Sequence, residues 1–229
     1  MHCIVTAGPT YEPLDDVRRL TNFSTGRLGS ELATFLTARG HETTLLIGQQ
    51  ASYRGERQAR KVETFTTTAN LRDRLRALAG QPVDAVLHAA AVSDFAFGKV
   101  WRRSPEGALT EVHAGKISTR EGTLLAELTP TPKLIADLRQ WFPQARLVGW
   151  KYEVEGGRAR AIHLAERQIA ECRTDACVAN GPAYGAGFCL VRTGGEFIHL
   201  PDTKALFPAL EEFICAKRAT IVPETDAGH

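Results

Sequence analysis

Four short apolar runs in this chain end in residues suited to holding a polar ligand. Cys3-Ile4-Val5-Thr6-Ala7 leads into Gly8-Pro9-Thr10, and Ala85-Val86-Leu87-His88 leads into Ala89-Ala90-Ala91-Val92-Ser93-Asp94-Phe95. Leu147-Val148-Gly149 leads into Trp150-Lys151-Tyr152-Glu153, and Ala176-Cys177-Val178 into Ala179-Asn180-Gly181. Small residues after a strand let a flat ligand approach the backbone, and the Asp94 carboxylate can then accept from a sugar hydroxyl or a base amino group. Asp94 equally fits a turn cap. Trp150 offers an aromatic face but also fits a core position, and Lys151 with Glu153 also reads as a solvated pair.

A fifth motif, Thr21-Asn22-Phe23-Ser24-Thr25-Gly26-Arg27-Leu28-Gly29, precedes a helical pattern. Hydroxyls and glycine at a helix start leave backbone N–H groups open to an anion, with the helix dipole assisting. Ser24 or Thr25 acting only as an N-cap accounts for the same residues. Lys116, in Ala114-Gly115-Lys116-Ile117-Ser118, shares a basic stretch with Lys99, Arg102 and Arg103. Loop lysines are usually solvated; on a flap, one can also stabilise charge that develops on a phosphate or acyl group after closure.

The elements that must position these groups alternate between strand and helix. Strands are predicted at Cys3 to Ala7, Thr43 to Ile47, Val62 to Phe65, Ala85 to Ala89, Leu147 to Trp150 and Ala176 to Ala179. A helix from about Gly26 carries Leu28, Leu32, Phe35 and Leu36 at core spacing and closes at Gly40. Leu71, Leu75 and Leu78 mark a second helix, Leu134 to Trp141 a third, Ile162 to Ile169 a fourth and Leu206 to Ile214 a last one. A hairpin turns at Gly194-Gly195 between Leu190 and Ile198. The alternation predicts a Rossmann-like three-layer α/β/α domain with a mainly parallel sheet spanning 1–220. In such a sheet ligands bind beyond the carboxyl ends of the strands. The segment from about 96 to 123 is too long for a plain connection and is expected to be an inserted flap. Within it a hairpin is predicted between Leu109–His113 and Leu124–Leu128, with a mobile basic tip. A frayed tail is expected over 221–229.

Composition narrows the class. The chain has 229 residues, 43% hydrophobic and 24% charged, with a formal net charge of +2. These values fit a globular domain and argue against a dedicated nucleic-acid or membrane-surface binder. No apolar run approaches the roughly 20 residues of a membrane span. Five cysteines, an odd number without C-x-x-C, and an N-terminus unlike a signal peptide predict reduced thiols in the cytoplasm. The histidines and cysteines lack zinc spacing, so no metal site is expected on the chain. A nicotinamide reductase fits poorly. Gly8-Pro9-Thr10-Tyr11-Glu12-Pro13 is not G-x-G-x-x-G, Leu45-Leu46-Ile47-Gly48 lacks the ribose-holding acid, and no tyrosine has a lysine four residues on.

Taken together and in order, the motifs resemble the phosphopantothenate–cysteine ligase (phosphopantothenoylcysteine synthetase) family. The resemblance rests on Val5-Thr6-Ala7-Gly8-Pro9-Thr10, Glu12-Pro13-Leu14-Asp15, Asn22-Phe23-Ser24-Thr25-Gly26, Ala89 to Phe95 and Gly115-Lys116-Ile117. It continues through Leu128-Thr129-Pro130-Thr131-Pro132, Val148-Gly149-Trp150 and Ala179-Asn180, to about residue 215. It implies a ligase that joins 4′-phosphopantothenate to cysteine in coenzyme A biosynthesis through an acyl-nucleotide intermediate, using CTP or ATP with Mg²⁺. It also implies a homodimer with small-molecule substrates. The family is often fused to a flavin-dependent decarboxylase; with nothing before the ligase-like start, no flavin is expected.

By the same resemblance, Asn22 holds polar groups of the intermediate and Lys116 stabilises the activation step. Ala90, Asp94 and Trp150 line the nucleotide, while Gly8, Ser24, Thr25 and Gly26 lie near its phosphates. Departures from the family pattern are Arg27 and Ser118 in place of lysines, Gly181 in place of an aspartate, and Gln168 and Cys172 where CTP users carry lysines on a helix. Trp150-Lys151-Tyr152-Glu153 is closer to the eukaryotic form. These departures motivate an alternative: a non-catalytic or substrate-shifted nucleotide-binding protein of the same fold.

Overall fold

The structure is a computed structural model that describes residues 1–113, 115–118 and 122–216. The predicted tail over 221–229 lies outside the described residues, as do 114 and 119–121 of the flap.

The chain opens with β1 (His2–Ala7), then the short strands β2 (Tyr11–Pro13) and β3 (Arg19–Thr21), before α1 (Arg27–Ala38) and β4 (Glu42–Gly48). It continues through β5 (Lys61–Phe65), α2 (Thr68–Leu78), β6 (Ala85–His88), β7 (Phe95–Arg103), β8 (Leu109–Glu111) and β9 (Thr123–Pro130). The remaining elements are α3 (Leu134–Trp141), β10 (Arg146–Tyr152), α4 (Gly157–Cys172), β11 (Ala176–Asn180), β12 (Phe188–Arg192), β13 (Phe197–Leu200) and α5 (Thr203–Cys215).

Eight strands form one sheet in the order β13-β12-β11-β10-β6-β1-β4-β5. From β5 to β11 every pairing is parallel, and β12 and β13 extend the sheet as an antiparallel edge. This is the doubly wound arrangement predicted from the sequence. Its order reverses between β1 and β6, opening a crevice at their carboxyl ends. The central strands read as continuous apolar runs because both their faces are covered. Cys3, Val5 and Ala7 pack with Leu32 and Leu36 of α1 and Leu206 and Leu210 of α5. Ile4 and Val86 turn the other way, against Leu71 and Leu75 of α2 and Leu134 and Leu138 of α3. Ala161, Ala165 and Ile169 of α4 complete that second layer over Cys177, Ala179 and Val191. Four of the five free cysteines are buried and Cys215 is exposed. Burial pushes the Cys3 thiol up to about 12, so it is a packed hydrophobe rather than a nucleophile.

Two segments differ from the sequence reading. Leu109–His113 and Leu124–Leu128 do not pair with each other; β8 and β9 flank β7 in a separate antiparallel sheet of order β8-β7-β9. Lys99, Arg102 and Arg103 therefore sit on a strand rather than on a basic tip, and the Lys99 ammonium meets the Glu111 carboxylate at 3.3 Å. Polar side chains on a sheet packed on one face blunted the apolar signal of β7. The β2–β3 hairpin was also missed, since three-residue strands carry too few positions to show a period.

Tight approach of α1 to β1 fixes the opening of the crevice. A Cβ on Gly29 would fall 2.6 Å from the Ala7 Cβ and 3.1 Å from the Thr6 carbonyl oxygen. We predict that Gly29→Ala lowers stability by about 1–3 kcal/mol, read from urea unfolding, despite the better helix propensity of alanine.

Candidate active site

The loop after β1 and the loop after β6 are sewn together backbone to backbone. Ala91 N–H donates to the Gly8 carbonyl (2.9 Å) and Thr10 N–H to the Ala91 carbonyl (3.1 Å). Ser93 N–H donates to the Thr10 hydroxyl at 2.8 Å. The Thr6 hydroxyl accepts from Ala90 N–H at 3.1 Å and lies 2.9 Å from His88 Nδ1. Asn22 closes the arrangement: its Nδ2 donates to the carbonyls of Ala91 and Val92, each at 3.2 Å. That spends the amide's donors on the loop and leaves Oδ1 as the group an exposed Asn22 can offer a ligand.

At the start of α1 the N-cap is Gly26, left-handed at φ 75°, with no side-chain cap. Neither Ser24 nor Thr25 is the cap, although the Thr25 hydroxyl accepts from Arg27 N–H at 3.2 Å. Gly26 abuts Gly8, itself at φ 76°, so both positions demand glycine for conformation and space. The helix thus begins against the end of β1 with an open N-terminus, the geometry that favours anions.

Asn22, Gly8, Gly26 and Ala90 therefore converge at the switch point. Asp94 is exposed immediately before β7, and its carbonyl accepts from Thr131 N–H at 2.9 Å. Trp150 lies one strand further along, beyond Gly149, which pairs with His88 across the sheet. It packs half-buried against the core on the α1–α5 side, and its indole Nε1 is buried without a partner among the described residues. Asn180, facing the same side on the adjacent strand, has its Oδ1 buried and unpartnered as well. Buried polar atoms left without a partner are rare in folded proteins, and here a donor and an acceptor of this kind lie on neighbouring strands. Sequence reading named Asn180 only as a motif residue; its buried, unpartnered oxygen emerges only from the fold.

The departures from the family pattern have physical readings. Gly181 adopts φ 112°, and a Cβ there would lie 2.5 Å from the Glu153 carbonyl oxygen, so a side chain is disfavoured. Gln168 and Cys172 face the sheet, nearly inaccessible, and Gln168 Nε2 reaches Cys177 Sγ at 3.2 Å. Lys151 pairs with Glu153 at 3.2 Å. Among the described residues no three His, Cys, Asp or Glu side chains group closely enough to hold a metal ion, and no helix is long and apolar enough to cross a membrane.

Lys116 is exposed beside the turn between β2 and β3. Asp16 N–H donates to the Gly115 carbonyl at 2.9 Å and Ile117 N–H to the Asp15 carboxylate at 3.1 Å. Asn22 follows the last residue of the same hairpin. At about 3.4 Å per residue, the turn and Asn22 are roughly 13 Å apart.

A Rossmann-like domain with a helix start of this kind and a backbone-lined crevice at its switch point has the geometry that suits a phosphate-bearing ligand. The comparisons narrow this. Residues 1–204 match the model of the DNA/pantothenate metabolism flavoprotein C-terminal domain, and the chain belongs to that family. It is 33% identical over 177 residues to the coenzyme A biosynthesis bifunctional protein CoaBC of Thermococcus kodakarensis, covering 77% of this chain and 40% of that protein. The chain spans about two fifths of the length of the curated CoaBC relatives from Thermococcus kodakarensis and Bacillus subtilis. Among solved structures, the DNA/pantothenate metabolism flavoprotein from Streptococcus pneumoniae superposes with a TM-score of 0.82 at 25% identity, over 93% of this chain and 98% of that one. A Cab2 mutant in complex with phosphopantothenate-cysteine shares the fold, with a TM-score of 0.70 at 18% identity over 93% of this chain and 86% of its own.

His88 supplies a pH test of the site's framework. Burial holds its imidazole down at about 4, against 6.5 for a free histidine. The unfolded chain therefore binds the extra proton first as pH falls, and stability is fully present above pH 6.5. It should decline by about 3 kcal/mol by pH 4 from this group. Denaturation midpoints across that range, compared with His88→Gln, should show a shallower slope in the variant.

Proposed function

We propose that this chain is a nucleotide-dependent phosphopantothenate–cysteine ligase acting in coenzyme A biosynthesis. The observation that carries the reading is the convergence of Asn22, the Ala90–Val92 backbone and the uncapped start of α1 at the switch point. Membership of the family and the CoaBC relatives supply the substrate class.

In this reading the phosphopantothenate carboxylate attacks the α-phosphorus of CTP or ATP. An O–P bond forms, the α–β phosphoanhydride breaks, and pyrophosphate leaves. The amine of cysteine then attacks the acyl carbon; a C–N bond forms, the nucleoside monophosphate departs with the acyl C–O electron pair, and the amine loses a proton. The detour is needed because a free carboxylate is a poor acyl donor. The N-terminus of α1, with Gly8, Ser24, Thr25 and Gly26 about it, receives phosphate oxygens. Trp150 and Ala90 border the nucleoside, with the orphaned groups of Trp150 and Asn180 available to its polar edge. Asp94 stands at the rim as an acceptor for a hydroxyl. Asn22 Oδ1 holds the intermediate, and the Lys116 ammonium offsets charge that grows during activation. Mg²⁺ enters with the triphosphate as part of the substrate, spreading its charge.

Pyrophosphate release should require phosphopantothenate and either CTP or ATP, and the joined product should require cysteine as well. Lys116→Ala should slow release on the order of 100-fold to 1,000-fold with an unchanged unfolding midpoint. Nucleotide binding without turnover across acyl and amine partners would favour a non-catalytic relative instead.

The homodimer is part of the same proposal. Val17, Leu20 and the fully exposed Phe23 on or beside the β2–β3 hairpin, with Phe95, Leu125 and Leu128 on the β7–β9 sheet, leave apolar side chains in water. Such surface is commonly covered by a partner. Light scattering should return twice the chain mass, and Phe23→Ser should shift it toward the monomer.

A further inference from the structure

We propose that Asp15 and Arg18 are positioning residues for Lys116, forming a carboxylate–guanidinium clamp that grips the backbone on both sides of the lysine. The inference rests on the ligase reading for the lysine's chemistry, but the clamp itself is geometric. Asp15 and Arg18 occupy the turn between β2 and β3, about a hundred positions in sequence from the lysine they hold.

The turn's side chains are arranged around this grip. The Asp15 carboxylate accepts from the N–H groups of Val17 (3.0 Å) and Arg18 (2.7 Å) and from Arg18 Nε (3.0 Å), with Arg18 Nη2 as a further donor. Its remaining capacity goes to Ile117 N–H at 3.1 Å. Arg18 Nη2 reaches past the carboxylate to the Ile117 carbonyl at 2.7 Å, so one guanidinium bonds both the carboxylate and the segment that the carboxylate holds. On the other side of the lysine, the Gly115 carbonyl accepts from Asp16 N–H at 2.9 Å. The Ile117 side chain is buried at 4% exposure and acts as an apolar anchor. Between two fixed neighbours only the Lys116 side chain projects into solvent.

The electrostatics agree with a permanent grip. The Arg18 guanidinium, aided by the Ile117, Val17 and Arg18 N–H groups, holds the Asp15 carboxyl well below the usual carboxylate range, so it is charged at neutral pH. The Asp15 side chain has no exposed surface, so solvent competes little with its hydrogen bonds. A catalytic ammonium on a long connection would otherwise sample a wide volume, and misplacement by about 1 Å can cost on the order of 100-fold in rate. The hairpin that carries the clamp ends at Thr21, next to Asn22. One short rigid element therefore sets the position of the lysine relative to the amide that grips the switch-point loop.

The test is Asp15→Asn, which keeps the side-chain size and removes the charge. Hydrogen exchange at the Ile117 amide should accelerate at least about 10-fold while the amides of β6 and β10 keep their protection. In pyrophosphate release kcat should fall about 10-fold or more, with less than a twofold change in the KM for nucleotide. Asp15→Asn combined with Lys116→Ala should be no slower than Lys116→Ala alone, because both changes remove the same contribution. Unchanged exchange at Ile117, or rate losses that multiply in the double variant, would overturn the proposal. If the wild type releases no pyrophosphate, the ligase reading fails. The clamp is then judged by exchange and by tryptic cleavage after Lys116, which should rise in Asp15→Asn and leaves no grip to defend if it does not.

Discussion

The backbone contact between the loops that follow β1 and β6 is the constraint on which the rest of the site depends. Two parallel strands at a switch point send their helices to opposite faces, so the chain ends there diverge and leave a gap. Here Gly8, Thr10 and Ala91 bridge that gap with their own N–H and C=O groups. The bridge is possible only because Gly8, Ala89, Ala90 and Ala91 bring almost no side-chain volume. Asn22 then adds a second donor to the Ala91 carbonyl and caps that of Val92, which ties the β2–β3 hairpin to the crevice. Through the hairpin the same tie reaches the backbone on both sides of Lys116, which the β2–β3 turn holds.

The central sheet and its helices were legible because their signals are long and repeated. β1, β4 and β6 each carry an unbroken apolar run, at Cys3–Val5, Leu45–Ile47 and Ala85–Leu87, and α1 keeps Leu28, Leu32, Phe35 and Leu36 on one stripe before Gly40 stops it. The switch-point motifs were legible for a related reason: small residues next to a buried strand have few purposes other than close approach. The elements that escaped are those whose pattern is short or mixed. β2 and β3 have three residues each, and β7 carries Lys99, Arg102 and Arg103 on a sheet with an open face. Reading those cations as a loop was the natural consequence, and with them went the pairing of β8 and β9.

Other features belong to the fold alone. No local pattern announces that Asp15 closes on Ile117, a contact across about a hundred residues. Neither does it show that Trp150 Nε1 and Asn180 Oδ1 are left without partners, since that depends on what the neighbouring strands fail to supply. Gly181 shows the reverse case. Read against the family pattern it is a lost carboxylate, whereas its positive φ and the nearby Glu153 backbone make it a position where a side chain is strained.

The floor of the crevice is peptide backbone, with Gly8, Gly26 and Gly29 packed too tightly to accept any atom more. A surface built that way offers selection almost nothing to vary: its shape is inherited whole or lost. Under the ligase proposal, any difference in what the cleft accepts falls to its margin, at Asp94, Trp150 and Asn180, which present side chains rather than main chain.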